Sequence, residues 1–320
     1  MAPRTTTLPQ LAAAVRAAVP GRPVLLEGLR GASLAFTLAS LRQDNTPGPT
    51  LVVTPTDDEA LRLTRELRFF GVAARRLPAW DVKPYAGYSP SADVSRRRLA
   101  ALHALATEPA AVVVAPAEAL LKRVLSPSVV ATMGEVLRVG HELDREALIA
   151  RLVDRGFFRT DLCTEPGTFS VRGGILDVFA PSDELPLRID FWGDEIESIR
   201  TFDPRTARSR EPRSEALLLP IREELVTEAA LAALPARLKA LADARGVQPR
   251  RRVQIQDELR ERRLVQEIEL FLPLLRDEPL VSVFDYLVGR PHALLVRPDP
   301  AAAGAVASGA HEELLLRYQR

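Results

Sequence analysis

The sequence predicts an α/β protein: a parallel-sheet domain in two sequence halves, with a small α+β hairpin domain inserted between them. Three observations carry this. Over the first ~125 residues, short apolar runs without alternation are separated by helical patterns, as in a parallel sheet covered on both faces. Beyond Val136 the pattern switches to alternating strands broken by glycine turns. After about Glu215 the chain returns to Ala/Leu-rich helix. The implied boundaries are 1–125, 126–213 and 214–320.

Taken in order, Leu8, Leu11, Val15 and Val19 recur at helical spacing and open the chain with an amphipathic helix. Pro23–Glu27 (PVLLE) reads as a buried strand, followed by a glycine turn and a helix through Leu41. Thr50–Thr54 (TLVVT) is a second strand, and Glu59–Phe70 a helix ended by Gly71. A loop over Leu77–Pro90 leads to a helix over Ser95–Ala106 and a third buried strand, Ala110–Ala115. In the hairpin region a helix, Arg145–Arg155, stops at Gly156. Thr168–Arg172, Ile175–Phe179, Leu187–Trp192 and Glu195–Phe202 then read as strands, with Gly173–Gly174 as a bend or bulge. Helices are expected over Thr227–Ala244 and Arg251–Leu270, a last buried strand over His292–Val296, and a linker-like stretch over Pro298–Ala310.

Composition narrows the function. Lys and Arg number 43 against 42 Asp and Glu, a net charge of +1, so there is no global charge to drive nucleic-acid binding. The arginine-rich run Arg245–Arg263 is interspersed with glutamates and Asp257 and reads as a solvated helical face. Cys163 is the only cysteine, which excludes an intrachain disulfide and a Cys-based zinc site, and the four histidines show no ligand spacing. No metal is expected. Arg16 interrupts the N-terminal apolar run, and no stretch is long enough for a membrane span, so the expected location is the cytoplasm without membrane contact.

Between the first strand and the following helix lies Gly28-Leu-Arg-Gly31-Ala-Ser33-Leu34-Ala35, where a phosphate-binding loop would sit. A working loop needs Gly-Lys-Ser/Thr at its end, lysine for the β- and γ-phosphates and a hydroxyl for Mg²⁺. Ser33, Leu34 and Ala35 occupy those three positions, so the loop is expected to be inactive. Asp57-Asp58-Glu59 opens a helix and reads as a cap rather than a metal-holding acidic box. The chain is expected to bind no cofactor and to catalyse nothing.

Strand alternation sorts the hairpin residues. Leu187, Ile189 and Phe191 share one face, and Arg188, Asp190 and Trp192 share the other. Likewise Phe169 and Val171 oppose Ser170 and Arg172. The apolar set belongs in the core. Arginine and tryptophan are the types that dominate protein interfaces, being large and rich in directed donors. Two plainer readings remain at this point: Arg188 and Asp190 as an ordinary surface pair, and Trp192 as cover for a loop. On this assignment, removing Arg172 or Arg188 should leave the melting curve unchanged.

Several blocks together resemble a known family. Gly28-Leu-Arg-Gly31 is similar to the excinuclease B loop stripped of its ATPase residues. Leu77-Pro-Ala-Trp80-Asp81-Val-Lys-Pro84-Tyr85, Ser89-Pro90 and Arg98-Leu99 follow. The longest block runs Glu165-Pro-Gly167-Thr-Phe169-Ser-Val-Arg172-Gly173-Gly174-Ile-Leu-Asp177-Val-Phe179 and on through Arg188-Ile-Asp190-Phe191-Trp192-Gly-Asp194-Glu195 to Asp203. Glu269-Leu-Phe271-Leu-Pro273-Leu and Phe284-Asp285-Tyr286 complete the series. Together they resemble the amino-terminal, excinuclease-B-like module of the bacterial transcription-repair coupling factors, the Mfd family. Trp192 departs from the pattern, which more often has phenylalanine.

The resemblance implies a degenerate helicase-like domain built from both sequence halves, around a hairpin domain that binds the excinuclease A subunit. It implies Arg172, Arg188 and Trp192, with Asp190 in the same row, as the contact surface. It further implies an adaptor that recruits excision repair to stalled transcription complexes. RNA polymerase and duplex DNA would be engaged, and ATP and Mg²⁺ used, only by family domains outside this chain. Two alternatives stay open: an excinuclease-B-like, nucleotide-dependent DNA-repair protein, and a stand-alone paralogue that sequesters the excinuclease A subunit.

Overall fold

The computed structural model describes residues 7–16, 28–29, 31–43, 48–83, 88–180, 183–223, 228–244, 246, 250, 253, 257, 268–290, 294–296 and 299–318. The chain is a mixed α/β protein that divides into two compact units. One comprises 1–79, 101–123 and 282–320, and the other 80–100 and 124–281.

The first unit is built on a parallel sheet. Strands β1 (Thr50–Thr54), β2 (Ala74–Arg76), β3 (Val112–Pro116) and β12 (Leu294–Val296) lie in the order β12-β1-β3-β2, every neighbour parallel. Both β1 and β3 are buried at all five positions, as expected of β-branched runs covered on both faces. Helix α1 (Leu8–Arg16) buries Leu11 and Ala12 against Leu41 of α2 (Ser33–Gln43). Helix α3 (Asp57–Phe69) starts where the Thr56 side chain accepts from the backbone N–H of Glu59, with Asp57, Asp58 and Glu59 in its first turn. Its Ala60, Leu63 and Leu67 fall on one face and pack with Ala35, Leu38, Val52, Ala74, Val112 and Val114.

Here the structure departs from expectation at two places. Strand β2 (ARR) was not legible, because only Ala74 of its three residues is buried. The linker-like stretch after Pro298 is instead a helix, Pro300–Tyr318. Asp299 accepts from the N–H of Ala302, proline occupies the first helical position, and the alanines that follow have high helix propensity. The strand expected at Pro23–Glu27, and most of the helix expected at Arg251–Leu270, lie outside the described residues.

The second unit carries the hairpins. Strands β4 (Glu135–Arg138) and β11 (Glu215–Leu218) form an antiparallel pair. Strands β5 (Phe158–Arg159), β6 (Thr168–Arg172), β7 (Ile175–Val178), β8 (Leu187–Trp192), β9 (Glu195–Phe202) and β10 (Ser209–Arg213) make a sheet in the order β10-β9-β8-β7-β6-β5. Every pairing is antiparallel except β5 with β6. Helix α4 (Ala92–Thr107) precedes β3, and α5 (Pro127–Thr132) precedes β4. Helix α6 (Arg145–Asp154) is capped by Asp144, whose carboxylate accepts from the N–H groups of Glu146 and Ala147, and ends before Gly156 at φ +87°. Its Leu148, Ile149 and Leu152 pack with Phe169, Leu176, Val178, Leu187, Ile189, Phe191, Ile196 and Ile199 to form the core.

Gly173–Gly174, expected as a bend or bulge, is instead the two-residue turn joining β6 to β7, with Arg172 facing Ile175 across it. Gly173 has φ +59°, and a Cβ on Gly174 would lie 2.7 Å from the Phe191 carbonyl oxygen. The bulge lies elsewhere. Asp190 pairs with Ser198 but Phe191 with Ile196, so Glu197 is the extra residue on β9.

Candidate partner-binding face

The face of the hairpin sheet opposite its core carries the residues singled out by alternation. Leu187, Ile189 and Phe191 are buried in the core, and Arg188, Asp190 and Trp192 lie on the other side. Register aligns them into rows. Ser170, Asp177, Arg188 and Arg200 are neighbours across β6–β9, and Arg172, Ile175, Asp190 and Ser198 form the next row. Trp192 stands beyond them at the end of β8 with 78% of its surface exposed.

In the first row the central group is Asp177. Its side chain is only 3% exposed, on a strand whose neighbours Leu176 and Val178 lie in the apolar core. Arg188 satisfies it, donating from Nε to Oδ1 at 2.7 Å and from Nη2 to Oδ2 at 2.8 Å. Arg172 adds a bond from Nη2 to Oδ2 at 3.2 Å. The Arg188 guanidinium also lies 4.7 Å from the centre of the Phe202 ring and donates from Nη1 to the Ala207 carbonyl at 3.2 Å. Hydrogen bonding to Asp177 raises its pKa by more than burial lowers it. Its side chain is 13% exposed, whereas that of Arg172 is 52% exposed.

This corrects the expectation that Arg188 is a removable surface residue. The strand face was right, but the guanidinium is committed to a buried carboxylate. The plainer reading, a surface pair between Arg188 and Asp190, is also replaced. Asp190 accepts from Ser198 Oγ at 2.6 Å and from Arg200 Nη2. Burial would raise the Asp190 carboxyl, but these two bonds and the charges of Arg200 and Arg188 together outweigh it and hold the group below its usual range. Gly174, Ile175, Asp190, Phe191, Glu197, Ser198 and Arg200 line an open hollow of about 560 Å³ on this face.

Asp177, Glu197, Ser198 and Arg200 were not singled out from sequence. Asp177 was open to discovery: it is the one charged residue within the apolar strand ILDVF, and the two-residue Gly173–Gly174 turn fixes its register.

In the other unit, Gly28 and Gly31 adopt φ +83° and +53°, and α2 begins at Ser33. Ala35 is fully buried in the apolar cluster beneath the sheet, and Leu34 packs against the same cluster. Among the described residues no group of His, Cys, Asp and Glu could hold a metal ion, and no helix is long and apolar enough to cross a membrane. Cys163 is buried with Phe179 and Phe202, and burial pushes its thiol up to about 11.

Comparison with known proteins agrees with the motifs. Residues 136–223 match the family described as the UvrB interaction domain. The transcription-repair-coupling factor of Myxococcus xanthus is 35% identical over 83% of this chain, and that of Escherichia coli 32% identical over 83%. The chain spans 23% of the length of each of these relatives. UvrABC system protein B of Chlorobaculum tepidum is 32% identical over 62% of the chain and 31% of its own length. The chain is therefore an Mfd-like module, similar over most of its length to the transcription-repair-coupling factors and containing a UvrB interaction domain.

Proposed function

We propose that this chain is the adaptor of a DNA-repair coupling protein, and that its hairpin sheet binds the excinuclease A subunit to bring excision repair to stalled transcription complexes. The observation that carries the reading is the outward face of β6–β9. An exposed Trp192 and a half-exposed Arg172 flank an open hollow there, inside the segment that matches the UvrB interaction domain. A large aromatic beside arginine with unused donors is the residue chemistry of an interface centre. The residues assigned to contact are Arg172, Trp192 and Asp190, with Arg188 holding the face in shape.

The first unit supports the adaptor reading through its loop. Lysine and hydroxyl chemistry is replaced at Leu34 and Ala35 by side chains packed into the sheet's apolar cluster. We read it as a degenerate helicase-like domain, divided in sequence by the hairpin domain, that retains a turn for the sheet and has lost the nucleotide. ATP, Mg²⁺, RNA polymerase and duplex DNA belong on this reading to other parts of a coupling protein. An excinuclease-B-like, nucleotide-dependent activity is the competing reading, and titration of the chain with Mg-ATP decides between them. No heat is expected up to millimolar nucleotide, and saturable micromolar binding would overturn the adaptor assignment.

Direct binding tests the interface. The 320-residue chain should bind the purified excinuclease A subunit in a surface-plasmon-resonance titration. Arg172→Ala and Trp192→Ala should each weaken that binding by at least about tenfold while leaving the thermal melt unchanged. Wild-type affinity in both variants would remove this face from the function.

A further inference from the structure

The outward face ends, away from Trp192, in the turn joining β9 to β10; that turn holds Arg205 and Arg208, and Arg210 follows on β10. Arg210 is paired with Asp203. The Arg205 and Arg208 side chains are exposed and make no hydrogen bond or ion pair among the described residues. The aspartates near them are already engaged: Asp177 by Arg188 and Arg172, Asp190 by Arg200 and Ser198, and Asp203 by Arg210 and backbone N–H groups. Beyond the paired Arg210, the exposed charges of β10 are Glu211 and Arg213, one of each sign, so the two turn arginines leave this end with a positive excess. At the opposite end, around Trp192, Asp194, Glu195 and Glu197 are exposed, and the half-exposed Arg172 there is bonded to Asp177. Across the ~20 Å of a six-residue strand, the face changes sign.

This turn is also held in one shape. Asp203 accepts from the N–H groups of Arg205 at 2.9 Å and Thr206 at 3.4 Å. The backbone closes with Ala207 N–H to Asp203 O at 2.8 Å and Asp203 N–H to Arg208 O at 2.9 Å. Ala207 sits at φ +55°, alone among the described non-glycine residues in the left-handed region, and its carbonyl is bonded by Arg188. Two unpaired guanidinium groups thus project from a backbone that would lose little freedom on binding.

We propose that the β9–β10 turn is a second contact region for the protein partner, in which Arg205 and Arg208 meet a carboxylate-rich surface and set the direction in which the partner docks. This rests on the assignment of the outward face to the excinuclease A subunit. Exposed charges act mainly on encounter, so the effect belongs in the association rate and depends on salt.

The test is Arg205→Glu with Arg208→Glu in the full 320-residue chain, followed by surface plasmon resonance against the excinuclease A subunit at about 0.05 M and 0.5 M salt. Arg62→Glu with Arg65→Glu, exposed on α3 of the other unit, makes the same change in net charge and serves as control. We expect association about tenfold slower at low salt for the turn variant, little difference at high salt, and a wild-type rate for the control. If the wild-type chain binds and the turn variant associates at the wild-type rate, the second contact region is refuted while the main face stands. The inference also fails if control and turn variants slow equally, because net charge alone then explains the effect. If the turn variant loses affinity for a DNA duplex but keeps its partner association, the arginines serve nucleic acid and the proposal is overturned. Absence of wild-type binding would sink the face assignment itself.

Discussion

Arg188 and Asp177 face each other directly across β7 and β8, joined by two parallel bonds of 2.7 and 2.8 Å. The pair is asymmetric in its consequences. Asp177 is almost wholly enclosed and takes both short bonds from Arg188, whereas Arg172 supplies one longer bond from a half-exposed position.

Arg188→Ala should therefore destabilise the hairpin unit by about 2–4 kcal/mol, because an enclosed carboxylate is left with one weak partner. Arg172→Ala should cost under about 0.5 kcal/mol. Thermal or urea denaturation of the two variants checks this, and equal stability would show that Asp177 is better solvated than its burial indicates. It follows that loss of partner binding in an Arg188 variant is evidence about the interface only after folding has been verified.

A second buried pair lies in the same unit. Arg98 and Glu223 are 0% and 2% exposed, 3.4 Å apart, with the Arg98 guanidinium 4.6 Å from the centre of the Trp80 ring. Residues from three separate stretches of chain meet there. Glu223→Ala should cost about 3–5 kcal/mol and shift Trp80 emission, since it leaves a buried cation. Arg98→Met combined with Glu223→Leu should recover most of the loss, because apolar packing replaces both charges. If the double variant is as unstable as the single one, the pair contributes more than mutual neutralisation.

Asp183 gives the pH dependence. Burial pushes its carboxyl up to about 6, against a weaker downward pull from Arg213. With the folded pKa above the unfolded value, the unfolded chain loses this proton first as pH rises. Stability should consequently fall between about pH 4 and 6 and level off above that window. Asp183→Asn should abolish that segment of the profile and raise stability at pH 7 by on the order of 1–2 kcal/mol. A variant with an unchanged profile would place the titration on another group.

The hairpin strands were legible because apolar and polar residues largely alternate along them, most regularly on β8. Thr168–Arg172, Leu187–Trp192 and Glu195–Phe202 have the bounds that alternation gives them. Strands β1 and β3 were legible as continuous apolar runs. What escaped depends on contacts distant in sequence. Strands β4 and β11 are separated by most of the hairpin unit and are too short to carry a pattern of their own. The helix at Pro300–Tyr318 was hidden by its alanine, glycine and serine content, which reads equally well as linker. At the site, alternation gave the facing of Arg172, Arg188, Asp190 and Trp192, but not the partner of each charge. Arg188 meets Asp177 rather than Asp190 because register, not proximity along the strand, decides which side chains touch.

Gly174 is part of the lining of the hollow on the outward face, so that stretch of its wall has no side chain. Gly174 presses on the Phe191 carbonyl so closely that a single added methyl group would land 2.7 Å from the oxygen. Mutation therefore has little purchase on the depth of the hollow, since replacing Gly174 would push β7 and β8 apart. Variation between lineages should fall instead on lining side chains such as Ile175 and Glu197 and on the exposed Trp192 nearby. A partner that evolves alongside this module would meet a surface fixed at Gly174 and adjustable around it, and divergence between cognate pairs should be written in those residues.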